Sequence, residues 1–449
     1  MTRTKLILLS ILAIGGLVLL VTPGHVSRAA SLSNENNTGD NTVTYNKDIA
    51  PILYKNCTSC HRAGEVAPFT LLDYKDAAKH AQQLALVTQS RYMPPWKPEP
   101  GYGDFQDVRH LSDAEIALIK RWADNGAPEG KPSDRPQPPV FTDGWQMGTP
   151  DQILKMPEAY KLYAEGRDVY QCFVLPLNND DDKYVAAIEF RPGNRKAVHH
   201  ALVFLDNTGT ARKLDAQDPD VGYRSFGGVG FRPSGGLGGW APGASPYRLP
   251  DGIGRPVKKN SDVVLQIHYH PTGKAEMDQS TIGIYYLKTP PKQIIYSLPL
   301  AQPRLDIQPG DHNYKVTAAF TAPTDVEVVG LAPHMHLLGR EMKVTAVLPD
   351  GSTKPLIWIK DWDFNWQGQY LYQQPLFFPK GTKFQLDAVY DNSTDNPRNP
   401  SSPPKRVTWG EQTTDEMALC FISIVVKDEA EMASMRRAFI QQMAGGGRP

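Results

Sequence analysis

Cysteine is scarce in this chain, and its scarcity limits the metal chemistry available. Only four of the 449 residues are cysteines. Cys57 and Cys60 form one close pair, and no second close pair exists to complete the thiolate set of a structural zinc site. Cys172 and Cys420 lie too far apart in sequence for their spacing to say whether they form a disulfide. Structural zinc is therefore disfavoured, and the pairing of the last two cysteines stays open.

Neither sign of charge is in excess. The 48 lysines and arginines balance 48 aspartates and glutamates. Proteins that bind nucleic acid or anionic membrane surfaces usually carry a basic excess. We therefore predict no nucleic-acid partner.

Long apolar runs are also missing, except near the start. Leu6 to Val21 is apolar for 16 residues, after the short basic segment Met1 to Lys5. Ser27 and Ala29 then offer the small residues that a signal peptidase reads. The pattern predicts a cleaved signal peptide at 1–30, with an uncleaved membrane anchor as the alternative. Both interpretations place the rest of the chain outside the cytoplasmic membrane, in the periplasm of a bacterium, with membrane contact only if the anchor is kept.

The one cysteine pair belongs to the string Cys57-Thr58-Ser59-Cys60-His61. In a C-x-x-C-H string, the two thiols form thioether bonds to a haem and the histidine ligates the iron. The string predicts a covalent haem c held by Cys57, Cys60 and His61. Attachment of c-type haem outside the cytoplasm agrees with export.

The residues around this string read as helical. Ser112 and Glu115 form a capping box, and Ile116, Ile119 and Trp122 follow at helical spacing. Small cytochromes c pack a helix of this kind against the haem, and residues 44–130 resemble that family. Residues 31–43 are polar and predicted to be a disordered leader, and the proline-rich residues 131–145 a linker.

A sixth iron ligand is needed if the haem only carries electrons. Met93 is the predicted ligand, because a thioether opposite histidine raises the reduction potential and the neighbouring prolines stiffen its loop. His80 or His110 is the alternative.

From Trp145 onwards, the pattern changes to strands. Residues 383–390, for example, alternate Phe384, Leu386, Ala388 and Tyr390 on one face. No helical segments alternate with the strands, so we predict antiparallel β-sandwiches of the jelly-roll kind at 146–288 and 289–428. The glycine-rich residues 227–243 are predicted to be a mobile connection, and the tail, 429–449, a short amphipathic helix.

Histidines cluster in three of the predicted strands. The clusters are His199-His200, His268-Tyr269-His270 and His334-Met335-His336. Residues two apart on a strand share a face, so His334 and His336 can hold one metal. His199 and His200 face opposite ways, so sharing a metal needs a bulge, a local twist or different ring nitrogens.

Copper suits these clusters best. No carboxylate stands at the spacing of a two-His-one-carboxylate iron site. Imidazole with thioether ligands favours copper, and a one-electron metal beside a haem is chemically coherent, unlike zinc.

Four motifs, in this order, resemble those of the copper type II, ascorbate-dependent monooxygenases, which include the peptidylglycine α-hydroxylating and dopamine β-monooxygenases. The resemblance covers residues of roughly 150–428, and the motifs are Val198-His199-His200-Ala201, Leu265-Gln266-Ile267-His268-Tyr269, Pro333-His334-Met335-His336-Leu337-Leu338-Gly339-Arg340 and Thr414-Asp415-Glu416-Met417.

The resemblance implies two copper sites. The first, for electron transfer, takes His199, His200 and His268. The second, which binds O₂ and is catalytic, takes His334, His336 and Met417, and faces the first across a solvent-filled cleft. His270 has no ligand role in the animal enzymes and is expected in a supporting or surface role, with replacement or assistance of His268 as the alternative.

Three departures from the family concern the substrate. Peptide-amidating members carry arginine, asparagine and tyrosine where this chain has Ala332, Leu419 and Phe421. Those polar groups hold the carboxylate of the peptide substrate. Their apolar replacements argue against peptide amidation and favour a less polar small molecule.

Together, these features predict an exported copper monooxygenase that hydroxylates a C–H bond of a small molecule with O₂. Electrons come from an ascorbate-like reductant or a redox protein, through the chain's own haem. A non-catalytic haem and copper electron carrier or redox sensor is the alternative, and a zinc hydrolase is a weaker one.

Overall fold

The structure is a computed structural model that describes residues 42–65, 67–141, 144–226, 228–241, 244 and 246–445. The predicted signal peptide and nearly all of the predicted leader lie outside these residues. The chain divides into two units, Met1–Thr42 and Val43–Pro449, and the second contains every feature below. Among the described residues, no helix is long and apolar enough to cross a membrane.

Helices dominate the first part of the second unit. A π-helical turn at Tyr45–Ile49 leads into α1 (Ala50–Asn56), followed by α2 (Tyr74–Lys79), α3 (Ala81–Gln89), α4 (Asp113–Asp124) and a 3₁₀ turn at Pro132–Asp134. Ile49, Leu53, Ile119 and Trp122 are buried in their shared core. The predicted capping box of α4 is present, since Ser112 and Glu115 bond each other's backbone N–H groups. These helices do not by themselves identify a cytochrome c, so the haem stays a prediction.

Strands form most of the rest, as predicted for β-sandwich domains. The first set is β1 (Gln152–Lys155), β2 (Tyr160–Leu162), β3 (Val169–Pro176), β4 (Lys183–Arg191), β5 (Val198–Asp206), β6 (Tyr223–Arg224), β7 (Gly235–Trp240), β8 (Ile253–Val257), β9 (Asp262–Tyr269), β10 (Glu276–Asp278) and β11 (Thr281–Tyr286). The short helix α5 (Thr210–Asp215) follows β5, and residues 287–292 lead to the second set.

The second set completes the β structure. It comprises β12 (Gln293–Ala301), β13 (Asp306–Ile307), β14 (Tyr314–Thr321), β15 (Val326–His334), β16 (Gly339–Val347), β17 (Thr353–Ile359), β18 (Tyr370–Phe378), β19 (Lys383–Tyr390), β20 (Val407–Thr408) and β21 (Leu419–Val426), before helix α6 (Glu429–Gly445).

One eight-stranded sheet runs through both sandwiches, in the order β1-β11-β4-β8-β12-β21-β15-β18. Its first half shares a core with the five-stranded sheet β6-β3-β9-β5-β7, and its second half shares another with β14-β19-β16-β17. The short parallel pairing of β8 with β12 joins the halves, and the other pairings between these strands are antiparallel. The continuous sheet therefore fixes the two sandwiches against each other.

The prediction for the glycine-rich residues 227–243 needs a correction. Residues 235–240 form β7, which pairs with the histidine-bearing β5. A Cβ on Gly239 would lie 2.7 Å from the carbonyl oxygen of Ala201, so only glycine allows this close approach of the strands.

The segment from Trp96 to Gln106 leaves the helical core and packs on the second sandwich. Phe105 is buried in that sandwich's core, and Trp96 meets Tyr370 edge-on at 5.4 Å between ring centroids. Gln106 N–H donates to the carbonyl oxygen of Leu371, at the outer edge of β18. The helical part thus covers an edge strand of the sheet.

Candidate metal centres

Three imidazoles of the first sandwich, His199, His200 and His268, converge on one point and are called the histidine trio here. The three Nδ1 atoms are 3.2, 3.2 and 3.4 Å apart. Three ligands of a tetrahedral ion with bonds of about 2.0 Å stand roughly 3.3 Å apart, so the spacing fits one metal ion. In the part of the chain that the structure describes, the trio is the one group of three or more histidine, cysteine or acidic side chains whose ligand atoms lie close enough together to hold a metal ion.

The fold brings the trio together through neighbouring strands. His199 and His200 lie on β5, and His268 lies on the adjacent β9. The register of this pairing shifts between Val198 and His200, which is the irregularity that two consecutive histidines need to face one ion. All three rings turn Nδ1 toward the common point, so the two adjacent histidines do not need to use different ring nitrogens.

Burial keeps the rings of His199 and His200 neutral. It lowers the pKa of His199 to about 4, helped by nearby His268, and lowers the pKa of His200 well below its ordinary value. Neutral imidazole is the form that binds a metal ion.

Asp168 supports the trio from behind. Its Oδ2 lies 3.1 Å from Nε2 of His268, in a close contact rather than a well-aligned hydrogen bond. Burial would raise the pKa of Asp168, but its contacts with His268 and Thr413 outweigh this and hold the pKa below its ordinary range. A carboxylate at Nε2 favours the tautomer with a bare Nδ1, the nitrogen that faces the other two rings.

His270 stays outside the trio. Its Nδ1 donates to the other oxygen of Asp168 at 2.8 Å, and 69% of its side chain is exposed. It therefore contacts the aspartate and not the converging nitrogens.

His334 and His336 form the second cluster, called the histidine pair here. Their Nε2 atoms are 3.2 Å apart. Nδ1 of His336 donates to the carbonyl oxygen of Asp415 at 3.1 Å, and Nδ1 of His334 donates to Oε1 of Gln367. With the protons on Nδ1, two lone pairs face each other across 3.2 Å, an arrangement that a cation stabilises.

The strand prediction for this pair is only partly right. β15 ends at His334, so His336 lies in the turn that follows. Burial lowers the pKa of His334 to about 4 and that of His336 to about 3, so both rings are neutral at neutral pH.

The loop that carries Met417 lies against the pair. Asp415 accepts the hydrogen bond from His336, and the side chain of Glu416 accepts the N–H groups of His336 at 2.9 Å and Leu338 at 2.6 Å. Met417 itself is half-buried, and its carbonyl oxygen accepts the hydroxyl of Tyr390 at 2.8 Å. These bonds fix the two residues before Met417 beside His336.

Glu416 is a site residue that sequence reasoning missed. Burial raises its pKa to about 8, and the backbone N–H groups that it accepts work in the opposite direction. A glutamate in the D-E-M string gives no signal of burial in the sequence, because its role depends on a turn 80 residues away.

The same loop also reaches the first sandwich. Thr413 donates to Asp168, and the hydroxyl of Tyr170 donates to the carbonyl oxygen of Glu411 at 3.0 Å. The ring of Tyr170 stacks on His268 at 4.3 Å between centroids. Asp168 and Tyr170, which contact His268 of the trio, therefore also bond the loop that precedes Met417.

An apolar patch lies beside His334. Ala332 is opposite Phe421, and His334 is opposite Leu419, in the pairing of β15 with β21. Opposite residues of an antiparallel pair share a face. All four residues are half-buried, whereas Pro333 and Cys420 between them are buried, so the patch is the accessible face.

The predicted haem residues lie in the helical part. Cys57 and Cys60 are partly exposed free thiols, and Nδ1 of His61 donates to the carbonyl oxygen of Phe69 at 3.1 Å. That bond leaves Nε2 of His61 free to ligate iron, the arrangement expected of an axial histidine. Burial is the main cause of the lowered pKa of His61.

The candidates for the sixth ligand are separated. Met93 lines a cavity of about 260 Å³ that His110 also lines, and Arg91 lies 3.3 Å from Nε2 of His110. His80 lies instead on the His61 side, where its ring stacks on Phe69 at 3.9 Å between centroids. No described contact joins Met93 to His61, so Met93 as a ligand stays a prediction.

Cys172 and Cys420 are both free and buried. They lie on β3 and β21, in the cores of different sandwiches.

Two curated relatives are similar to part of the chain. Peptidyl-glycine alpha-amidating monooxygenases A and B of Xenopus laevis are each 26% identical over 246 residues, or 53% of this chain. The match spans 25% and 26% of those proteins, about a quarter of their length. No protein-family model matches the chain.

Solved structures resemble it only weakly. The major capsid protein P2 of bacteriophage PM2 covers 61% of this chain and 96% of its own, with 8% identity and a TM-score of 0.25. PNGF-II covers 62% of this chain and 65% of its own, with 8% identity and a TM-score of 0.23. Scores this low support no argument about the fold.

The distant similarity to the Xenopus enzymes supports an oxidoreductase of the copper monooxygenase kind. Copper is accordingly the metal expected at the histidine clusters. The substrate, the reductant and the haem lie beyond what this similarity covers.

Proposed function

We propose that this chain is an exported, periplasmic copper monooxygenase that hydroxylates a C–H bond of a small apolar molecule. The observation that carries the proposal is the presence of two imidazole clusters, each with ring nitrogens of different histidines 3.2 Å apart, on adjoining sandwiches. The ring nitrogens of a buried histidine with a purely structural role would form hydrogen bonds to other groups instead.

In this proposal, the histidine trio holds an electron-transfer copper. Asp168 and the stacked ring of Tyr170 fix His268, whose Nδ1 then faces those of His199 and His200. Three imidazoles held in place by two paired strands suit an ion that only changes its charge.

The histidine pair, with Met417, holds the second copper. Glu416 fixes the backbone at His336, and Gln367 orients His334. Copper supplies one-electron redox chemistry toward O₂ when it is bound here. Met417 is the proposed third ligand because its loop is bonded to His336, and a thioether stabilises Cu(I).

The overall reaction is R–H + O₂ + 2 electrons + 2 protons → R–OH + H₂O. The apolar patch of Ala332, Leu419 and Phe421 would hold the substrate beside His334, since it offers no charged group to a carboxylate. The two electrons come from an external one-electron donor, an ascorbate-like reductant or a redox protein, through a haem on Cys57, Cys60 and His61, with Met93 as the proposed sixth ligand.

Elemental analysis and isotope labelling test the proposal. We expect two copper and one iron per chain, and one ¹⁸O atom in the product after incubation of candidate apolar substrates with ¹⁸O₂. Oxygen uptake without a hydroxylated product would favour the electron carrier, and zinc without copper would favour a hydrolase.

Stopped-flow mixing of the reduced protein with O₂ tests the relay separately. The haem absorbance should change during turnover. A haem that stays reduced while product forms would remove it from the electron path.

A further inference from the structure

One aromatic ring touches both histidine clusters. Phe364, in the loop between β17 and β18, stacks on His199 with ring centroids 5.4 Å apart and planes 20° apart. The same ring meets His336 edge-on at 5.6 Å. The family resemblance implies a solvent-filled cleft between the copper sites, whereas here a side chain of this chain contacts both.

The same loop also meets the helical part. Trp366 lies edge-on to Tyr92, with ring centroids 6.2 Å apart, and Tyr92 directly precedes Met93. Gln367, which follows Trp366 in the sequence, accepts the hydrogen bond from His334. Nε1 of Trp366 is buried without a hydrogen-bond partner, so this indole is held in apolar packing at the boundary.

Ion pairs join the helical part to both sandwiches. Lys97 pairs with Asp361 at 2.9 Å, close to the loop itself. Glu65, which follows the C-x-x-C-H string, pairs with Arg195 at 2.9 Å, four residues before His199. Both side chains of the second pair are largely buried, so the contact is less screened than a surface ion pair.

We propose that Phe364 and Trp366 form the electron bridge of this protein. Trp366 contacts Tyr92, next to the proposed iron ligand Met93, and is followed by Gln367, which bonds His334 of the histidine pair. Phe364 contacts His336 of the pair and His199 of the trio. The inference rests on the proposed function, because it requires a haem and two copper ions. The rings are positioning residues: they fill the space between the centres with packed atoms and are not oxidised themselves.

The electron balance is simple. Each transfer oxidises the haem iron from Fe(II) to Fe(III) and reduces one copper from Cu(II) to Cu(I). An external one-electron donor then restores the haem, and two such transfers supply the two electrons of one hydroxylation.

Pulse radiolysis of the oxidised, fully loaded protein tests the bridge without substrate or O₂. A radical pulse reduces the haem, and the haem absorbance then reports transfer to copper as a phase independent of protein concentration. Freeze-quench electron paramagnetic resonance reports which copper is reduced.

Trp366→Leu should slow electron transfer from haem to copper by about tenfold, because a small rise in the activation barrier changes a rate by that much. Phe364→Leu should leave the rate of the haem phase unchanged and slow electron exchange between the two coppers. The ring-retaining variants Trp366→Phe and Phe364→Tyr should restore most of each rate. Phe377→Leu is the matched control, because Phe377 lies on β18 and is 60% exposed.

The outcomes separate the two ideas. A wild-type haem that transfers no electron to copper would overturn the haem relay of the proposed function. A wild-type haem that transfers normally, with both leucine variants behaving like Phe377→Leu, would overturn the bridge alone. Copper content measured on each variant shows whether a slow rate reflects a lost metal, and the ring-retaining variants then decide the question.

Discussion

The two histidine clusters differ in how the fold fixes them. The trio lies within one sheet, on the paired strands β5 and β9, and all three rings present Nδ1. The pair lies where β15 ends, presents Nε2, and depends on a separate loop for its supports. Strand pairing sets all three rings of the trio in one rigid sheet, whereas the pair takes its supports from a separate loop. This difference agrees with the roles proposed for the two coppers.

Loss of one ligand from each cluster should separate these roles most strongly. His336→Ala should abolish hydroxylation and reduce the copper content to one per chain, because one ring of the pair is removed. His268→Ala should also leave one copper per chain. It should still give a single turnover from fully reduced protein when haem electrons reach the pair.

Copper analysis and rapid-quench product measurement check this pair of variants. Loss of both coppers from either single variant would contradict the separation of the sites. His312→Ala is the control, since His312 is exposed in the connection between β13 and β14, outside both clusters.

Removal of Glu416, which supports the histidine pair, should lower the stability of the protein. Glu416→Ala leaves the buried N–H groups of His336 and Leu338 without acceptors, and should lower the free energy of unfolding by about 3 kcal/mol. Glu416→Gln keeps an acceptor oxygen and should lose less. Chemical denaturation of the metal-free protein measures both, and equal losses would show that the hydrogen bonds are not the cause.

The support of the trio should act on metal affinity. Asp168→Asn weakens the electrostatic contact at Nε2 of His268 and should lower the copper affinity of the trio about 10- to 100-fold, while that of the pair is unchanged. Competition with a copper chelator, followed by electron paramagnetic resonance, measures the two sites separately. An equal loss at both would mean that Asp168 acts by joining the sandwiches through Thr413.

The sequence predicted the trio's strands better than its surroundings. The strands predicted to carry His199-His200 and His268 are present as β5 and β9. From Ala201 to Leu205, β5 alternates buried and half-buried residues, as the two-residue period of a strand predicts. The need for an irregularity at His199 followed from the same periodicity. The strand β7 was missed, since a run of glycines has no side-chain pattern to read.

Long-range contacts explain the rest of what the sequence did not predict. Phe364, Gln367 and Glu416 act on histidines 28 to 165 residues away, and no local pattern marks them. The break between α2 and α3 at His80, whose ring stacks on Phe69, likewise has no local signal. Contacts of this kind depend on the tertiary fold and not on local periodicity.

The apolar patch offers the mildest test, because it concerns only the substrate side of the pair. Ala332→Arg places a cation on the half-buried face beside His334 and should raise KM for an apolar substrate by about tenfold. Ala332→Met, of similar reach but uncharged, should raise it less, and neither variant should change the copper content. Steady-state kinetics with the substrate identified by ¹⁸O labelling measures both. Equal effects of arginine and methionine would indicate that shape rather than polarity selects the substrate, and an unchanged KM in both would place the substrate away from β15.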